Sequence, residues 1–454
     1  MPLRILAAAL VALAASLPAT AQLSAEDPVT VATAHPRLLL TAARLRLLTR
    51  ERQRKSARWQ QLETLITGGA AMPERAFAQA LYFRISGDQA IGKQAIAWAL
   101  GPGDDLRQLA LVFDWCQDLL TEAQKRDLAA RIQKRMVETA ADESVSATRS
   151  RVFAAIALFD DVPDAPQREL ERVVRQWWLG KLVPAIKQGR SVIARDDAYA
   201  LYELLHALRD NTLLDLREPV PEFFKDFPIQ HLVSYYPATY QGPDADYYIG
   251  AEAHMGEPDL RVATLSRAAE MAMVAYDSNS NEAQVLQGFL MHDHYMLRGP
   301  FGAPYEFLWA NPYQPGLSYY LVPLVYYNPD FGTLFVRSTW EDNATWFGRF
   351  DGVMQLFQDG SVAPVNLAHT PVAISLKEAM VWFAPAGQRI TVKLDEEQAV
   401  FIVGLEPHRT YLVEVDDEEM QEAEADSGGT VELLDVPHGY EVGIRFREAK
   451  AASR

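Results

Sequence analysis

The sequence predicts a two-part chain: an N-terminal α/α toroid, an incomplete ring of antiparallel helices, followed by an antiparallel β-sandwich. Three observations carry this. From Thr41 to about Tyr295 apolar residues recur at helical period in about ten segments of hairpin length, separated by short Gly, Pro and Asp punctuation. Beyond Phe331 the period falls to about two, and turn signals such as Asp351-Gly352, Asp359-Gly360 and Ser427-Gly428-Gly429 separate short runs. Finally, the helices show no internal sequence repeat, which favours a ring or irregular array over a consensus solenoid.

Taken in order, residues 1–21 read as a secretory signal peptide. Arg4 gives a positive start, Ile5 to Leu17 an apolar run too short to span a bilayer, and Ala19-Thr20-Ala21 a small-x-small cleavage site. The expectation is an exported, periplasmic or secreted protein with no membrane span. Residues 22–330 form the helical domain. Thr41 caps a first helix running to about Ile66, and further helices are expected at 74–86, 88–101, 104–120, 122–139, 146–159, 165–187, 197–210, 221–235, 259–277 and 281–296. Pro304 to Gly316 reads as an aromatic loop carrying the chain to the β part, so the ring's cavity is expected to face that part. Residues 331–454 form the antiparallel β domain, with a small separate sheet allowed from 398 to 454.

Bulk composition excludes some functions. With 454 residues, 49% hydrophobic and 23% charged, the chain can bury a large core. The net charge of -17 gives no basic footprint for phosphates, so nucleic acid is not an expected partner. Residues 391–454 hold sixteen acids against six bases, and Glu414 to Asp426 reads as a solvated acidic loop. A single cysteine, Cys116, excludes an internal disulfide and a cysteine zinc site, and its apolar neighbours mark it as a small buried hydrophobe.

The helix at 197–210 is the centre of the functional reading. Leu201, Leu204, Leu205 and Leu208 fall on one side, and Tyr199, Tyr202, Glu203, His206 and Arg209 on the other. Two phenols, a carboxylate, an imidazole and a guanidinium make directed hydrogen bonds, which suits a cleft wall. Tyrosines packed beneath the following loop are the alternative.

His35-Pro36-Arg37-Leu38-Leu39-Leu40, Val112-Phe113-Asp114-Trp115-Cys116-Gln117-Asp118-Leu119-Leu120-Thr121 and Phe335-Val336-Arg337-Ser338-Thr339-Trp340 resemble passages of the heparinase II/III-like polysaccharide lyases. The resemblance implies a toroid with a β-sandwich, β-elimination of a uronic-acid-containing polysaccharide or oligosaccharide, a phenol or imidazole that moves the proton, and a group that neutralises the uronate. It places the phenol at Tyr199 or Tyr202. The Asn-His pair expected about fifty residues earlier is absent from Ser144 to Arg151, where Arg149 offers a bidentate carboxylate contact instead. His206 and His254 are the assisting proton carriers, and Arg149, Arg195, Glu203 and Arg209 the substrate-binding groups, with Trp309 and Tyr313 in the aromatic loop for stacking. The family's His/Asp metal site has no counterpart, because His369, His408 and His438 lack ligand spacing. His292 and His294, two apart, point about 200° apart on a helix and cannot share an ion. No metal or other cofactor is expected. Two further classes stay open: a glycoside hydrolase using carboxylates among Asp196, Asp197, Glu203, Asp244 and Asp246, and a non-catalytic glycan-binding or assembly protein.

Overall fold

The structure, a computed structural model, describes residues 28–449 apart from 191, 296, 367 and 368. The signal peptide read at 1–21 lies outside the described residues. The chain is multidomain α plus β, helices first and sheets after, with mostly antiparallel pairing.

Short polar residues set most helix starts. Side chains of Thr41, Ser56, Asp88, Asp105, Ser144, Asp259 and Ser280 accept from first-turn N–H groups of α1 (Ala42–Gln53), α2 (Ala57–Thr67), α4 (Gln89–Leu100), α5 (Leu106–Trp115), α7 (Val145–Ala157), α12 (Leu260–Tyr276) and α13 (Asn281–His292). Thr121 and Gln124 make a reciprocal capping box on α6 (Glu122–Glu138). The remaining α-helices are α3 (Arg75–Ser86), α8 (Ala165–Glu171), α9 (Val183–Lys187), α10 (Ala198–Thr212), α11 (Pro221–Val233) and α14 (Gly299–Trp309), with a π-helical stretch, Arg172–Leu182, joining α8 to α9. The first helix is not continuous to Ile66: Lys55 takes φ 51° and Ser56 starts a second helix. Asp197 occupies the N-cap position of α10 without a side-chain cap bond.

Helix neighbours follow one another in a circuit. α3 packs on α5, α5 on α7, α7 on α10, α10 on α12, α12 on α14, and α14 returns to α2 and α3. Outside it, α4 lies on α3, α6 on α5, α8 on α7 and α13 on α12. Two of the quoted sequence passages lock this assembly together. Asp114 accepts the backbone N–H groups of Arg37 at 3.0 Å and Leu38 at 2.8 Å, and Trp115 Nε1 donates to the Leu38 carbonyl at 2.9 Å. Cys116 is buried, and burial pushes its thiol up to about 12.

Three larger sheets follow. The first orders β3 (Val325–Asn328), β4 (Thr333–Arg337), β5 (Trp346–Phe350), β6 (Val353–Gln358) and β7 (Ser361–Pro364). The second orders β14 (Thr430–Leu433), β11 (Ala399–Val403), β9 (Ala379–Phe383) and β8 (Ala373–Leu376). The third orders β10 (Arg389–Lys393), β15 (Glu441–Glu448), β12 (Thr410–Val415) and β13 (Gln421–Glu424). Two-residue strands β1 (Tyr240–Gln241) and β2 (Asp246–Tyr247) make a separate hairpin.

The period of two sorts side chains between layers. Phe335, Trp346, Phe350 and Phe357 of the first sheet pack with Val233, Tyr236 and Ile249 of the helical part. On its other face Leu334, Val336 and Phe347 meet Val381, Phe383, Phe401 and Val403 of the second sheet. Trp382, Val400 and Ile402 then face Ile390, Val413, Val442 and Ile444 of the third.

Several expectations are corrected. The sheet part begins at β3, before residue 331, because Val325 to Asn328 pairs with β4. β9 and β11 pair in parallel, since the chain crosses to the third sheet as β10 between them. Strands after 398 do not form a separate terminal sheet; they are shared between the second and third sheets, which already hold β8, β9 and β10. The acidic run at 414–426 is a hairpin rather than a plain loop: it takes in the end of β12, a turn at 416–420 and the whole of β13. Pro304 lies inside α14, so helix replaces the first half of the expected aromatic loop. Residues beyond Trp309 run beside α13, where the Leu317 N–H donates to the Gln284 carbonyl at 2.8 Å. That segment therefore leaves the C-terminal end of α14, whereas Asp244 of the 236–258 segment sits against Gly299 at its other end.

Candidate functional site

Most of the polar face of α10 is buried, because α7 and α12 pack on the helix and Ala198 to Leu208 is buried throughout; toward its C-terminal end His206 and Arg209 border a cleft beside α1. Glu203, 0% exposed, accepts Arg107 through Nε at 2.9 Å and Nη2 at 2.6 Å, the Tyr199 hydroxyl at 2.7 Å, and Arg149 Nη1. Arg107 also pairs with Glu74 at 3.1 Å; Tyr305 donates to the same carboxylate, and Trp309 Nε1 donates to the Tyr199 hydroxyl at 3.0 Å. Burial pushes Glu203 up, but Arg107 and Arg149 outweigh it and hold the carboxyl below its ordinary range. Burial and Glu203 push the Tyr199 phenol up.

The structure thus brings Tyr199, Glu203, Arg149 and Trp309 together, but turned on one another. A phenol raised by burial and bonded to a carboxylate is a poor base at neutral pH. Arg149 and Glu203 neutralise each other instead of holding a substrate. Arg107 was missed because an arginine in the first turn of an otherwise apolar helix reads as solvated.

Tyr202 lies apart, against Phe224, Phe227 and Tyr276, and burial raises its phenol as well. Trp309, expected in an exposed loop, is 2% exposed, with Arg44 4.0 Å over its ring and His206 beside it. Tyr313 is exposed, but Arg50 covers its ring at 3.9 Å and its hydroxyl donates to Glu51. Arg209 bonds Asp210 and the Tyr276 carbonyl.

His206 donates Nε2–H to the Ala272 carbonyl at 3.0 Å, leaving Nδ1 to accept from Arg209 at 3.3 Å. This fixes the neutral tautomer. Burial lowers its pKa to about 4; Arg44 and Arg209 push the same way and Asp210 opposes them. A histidine with a depressed folded pKa stabilises the fold fully above its unfolded value, and that contribution is lost as pH falls toward the folded one. Between pH 6.5 and 4 the loss should reach roughly 3 kcal/mol, at ~1.4 kcal/mol per unit. Denaturant midpoints across that window should show this component in the native protein and lack it in His206→Gln; identical pH profiles would count against the assignment.

Open polar chemistry appears where the helices meet the first sheet. A groove of about 310 Å³ lies between α11, the segments at 193–196 and 251–253, and strands β3 and β4. Phe223, Phe227, Tyr326 and Phe335 give it aromatic walls; Asp196, Asp226, Glu252 and Asp351 give it carboxylates. Burial raises Glu252, and nearby Asp196 raises it further; burial and Glu222 raise Asp226.

Arg195 is anchored in the same wall. Its Nε donates to Ser266 Oγ at 3.1 Å, Nη1 donates to the His231 carbonyl at 2.9 Å and to Ser234 Oγ, and the guanidinium lies 4.1 Å over Tyr235. Buried Nη2 has no partner among the described residues. The anchoring requires glycine at 250, where a Cβ would come within 2.2 Å of Arg195 Nε. His254, exposed, follows Glu252 on the same segment. Of the sequence-derived candidates, Arg195, Asp196 and His254 therefore meet at or beside this groove. Glu252 and Asp226 were missed because a lone acid in a polar loop or on a helix surface carries no pattern. Among the described residues no three of His, Cys, Asp and Glu gather as a metal-ligand group.

No protein-family model matches the chain. No curated protein matches it either. Among solved structures it is similar to a chain described as "Glycoside hydrolase", at 10% identity over 93% of this chain and 77% of that one, with a TM-score of 0.33. At that score the likeness carries neither a fold family nor a reaction.

Proposed function

We propose that the protein is a carbohydrate-acting protein, a helical toroid joined to a β-sandwich, that holds a saccharide in the groove between α11 and the first sheet and hydrolyses a glycosidic bond there. The observation that supports this reading is the carboxyl of Glu252, raised by burial and by Asp196, in a groove with aromatic walls that Arg195 also lines. A carboxyl raised above its ordinary range holds its proton to higher pH than a free one and can give it to a leaving oxygen. Asp196 is then the second carboxylate, acting on water or on the sugar carbon, and aromatic faces suit the apolar sides of pyranose rings. Arg195 would hold a substrate oxygen. The leader at 1–21 would deliver the protein to the periplasm or beyond.

A second reading keeps β-elimination. Arg195 could neutralise a uronate and His254, two residues from Glu252, could take the proton; Tyr199 and Tyr202 have no such access. Digestion of a panel of neutral and uronic-acid polysaccharides separates these readings. New reducing ends without ultraviolet absorbance from an unsaturated uronate are the expected result. That absorbance would favour elimination, and binding with neither signal would favour a non-catalytic glycan-binding protein.

A further inference from the structure

A second cleft, of about 640 Å³, opens at the C-terminal ends of α10 and α12, beside the first turns of α1. Four guanidinium groups line it, those of Arg44, Arg46, Arg50 and Arg209, against one carboxylate, Asp210, which pairs with Arg209 at 2.9 Å. In a chain of net charge -17 this concentration of positive charge is unlike the whole. Arg44 stands in the first turn of α1, which holds no acid, so its charge adds to the positive end of the helix dipole. Its Nη1 is committed to the Leu308 carbonyl at 3.1 Å, but buried Nε has no hydrogen-bond partner among the described residues. A buried N–H left without an acceptor is unfavourable, and a ligand oxygen that reached it would relieve that loss. Arg46 and Arg50 are exposed at the rim, where they can close on a second anionic group. Ser278, Gln287, Asn311 and Gln314 complete the wall as neutral polar residues: Gln287 Nε2 donates to the Asn311 carbonyl at 2.8 Å and Gln314 Nε2 to the Ser278 carbonyl at 3.1 Å, leaving side-chain oxygens as the acceptors for ligand hydroxyls.

We propose that this cleft binds a small molecule carrying two or more anionic groups on a hydroxyl-bearing skeleton, independently of the groove by the first sheet. Arg44 Nε takes one anionic oxygen at depth, and Arg46 and Arg50 hold another at the mouth. The test is calorimetric titration of the full-length protein with sucrose octasulfate, with inorganic pyrophosphate, and with maltose as a neutral control. Binding of at least one polyanion and not of maltose is expected, weakening as salt is added. Replacing Arg46 and Arg50 together by alanine should lower affinity about tenfold or more. Glu252→Gln should leave that affinity unchanged, so failure of the hydrolase reading would not touch this one. Absence of polyanion binding, or unaltered affinity in a double variant shown by circular dichroism to be folded, would overturn the proposal.

Discussion

Glu252→Gln should lower turnover of a hydrolysed glycan by about 10²–10⁴-fold, because it removes the proton the leaving oxygen needs while preserving shape and hydrogen-bonding capacity. The groove disfavours a charged carboxylate at this position, so the neutral amide should leave the thermal midpoint unchanged or raise it slightly. Collapsed turnover with an intact fold marks a chemical role rather than a packing one. Tyr202→Phe and Tyr199→Phe are the controls. Tyr202 packs on Phe224, Phe227 and Tyr276 away from the groove, and Tyr199 is bonded to Glu203 and Trp309, so both variants should retain activity. Glu252→Gln turning over at the native rate, or either phenylalanine variant losing activity without losing stability, would remove the groove mechanism.

Glu203→Ala should cost about 3–5 kcal/mol of stability, since it leaves Arg107 and Arg149 facing each other inside the helical part without their shared counter-charge. Arg107 would keep Glu74, so the loss should stay within that range. Glu203→Gln should cost less, because an amide oxygen still accepts one guanidinium bond. The carboxyl's folded pKa is depressed, so its stabilisation is present above the unfolded value and is lost as pH falls through the folded one. Denaturant midpoints near neutral pH for the three proteins provide the measurement; a Glu203→Ala midpoint equal to the native one would show that the cluster contributes no stability.

Helix positions and the change of period near residue 331 were legible because burial on one face leaves a periodic trace, and capping residues such as Thr41 and Ser144 mark where helices begin. Burial on every side leaves no such trace. On α10 the polar stripe was visible, but Arg107, Arg149 and Glu74, which turn it inward, come from three other places in the chain. The sequence therefore showed which groups make directed bonds and not whether their partners were protein or ligand. Trp309 misled for a related reason: proline on either side suggested loop, yet Pro304 is accommodated within α14. Arg195 and Asp196 were found because they stand next to α10, whereas Glu252 reaches the groove through the tertiary return of a loop.

The first sheet has no face to spare. Phe335, Trp346 and Phe350 are shared with the helices, Leu334, Val336 and Phe347 with the second sheet, and Trp346 Nε1 reaches the Val233 carbonyl of α11 at 2.9 Å. A chain divided near residue 324 would bare the helix-facing side of the first sheet, Phe335, Trp346 and Phe350, on one fragment and its partners Val233, Tyr236 and Ile249 on the other. The two architectural halves are thus poor candidates for independent expression or for exchange as modules. Any recombination that moves the sheets must carry α11 and the 236–258 segment with them.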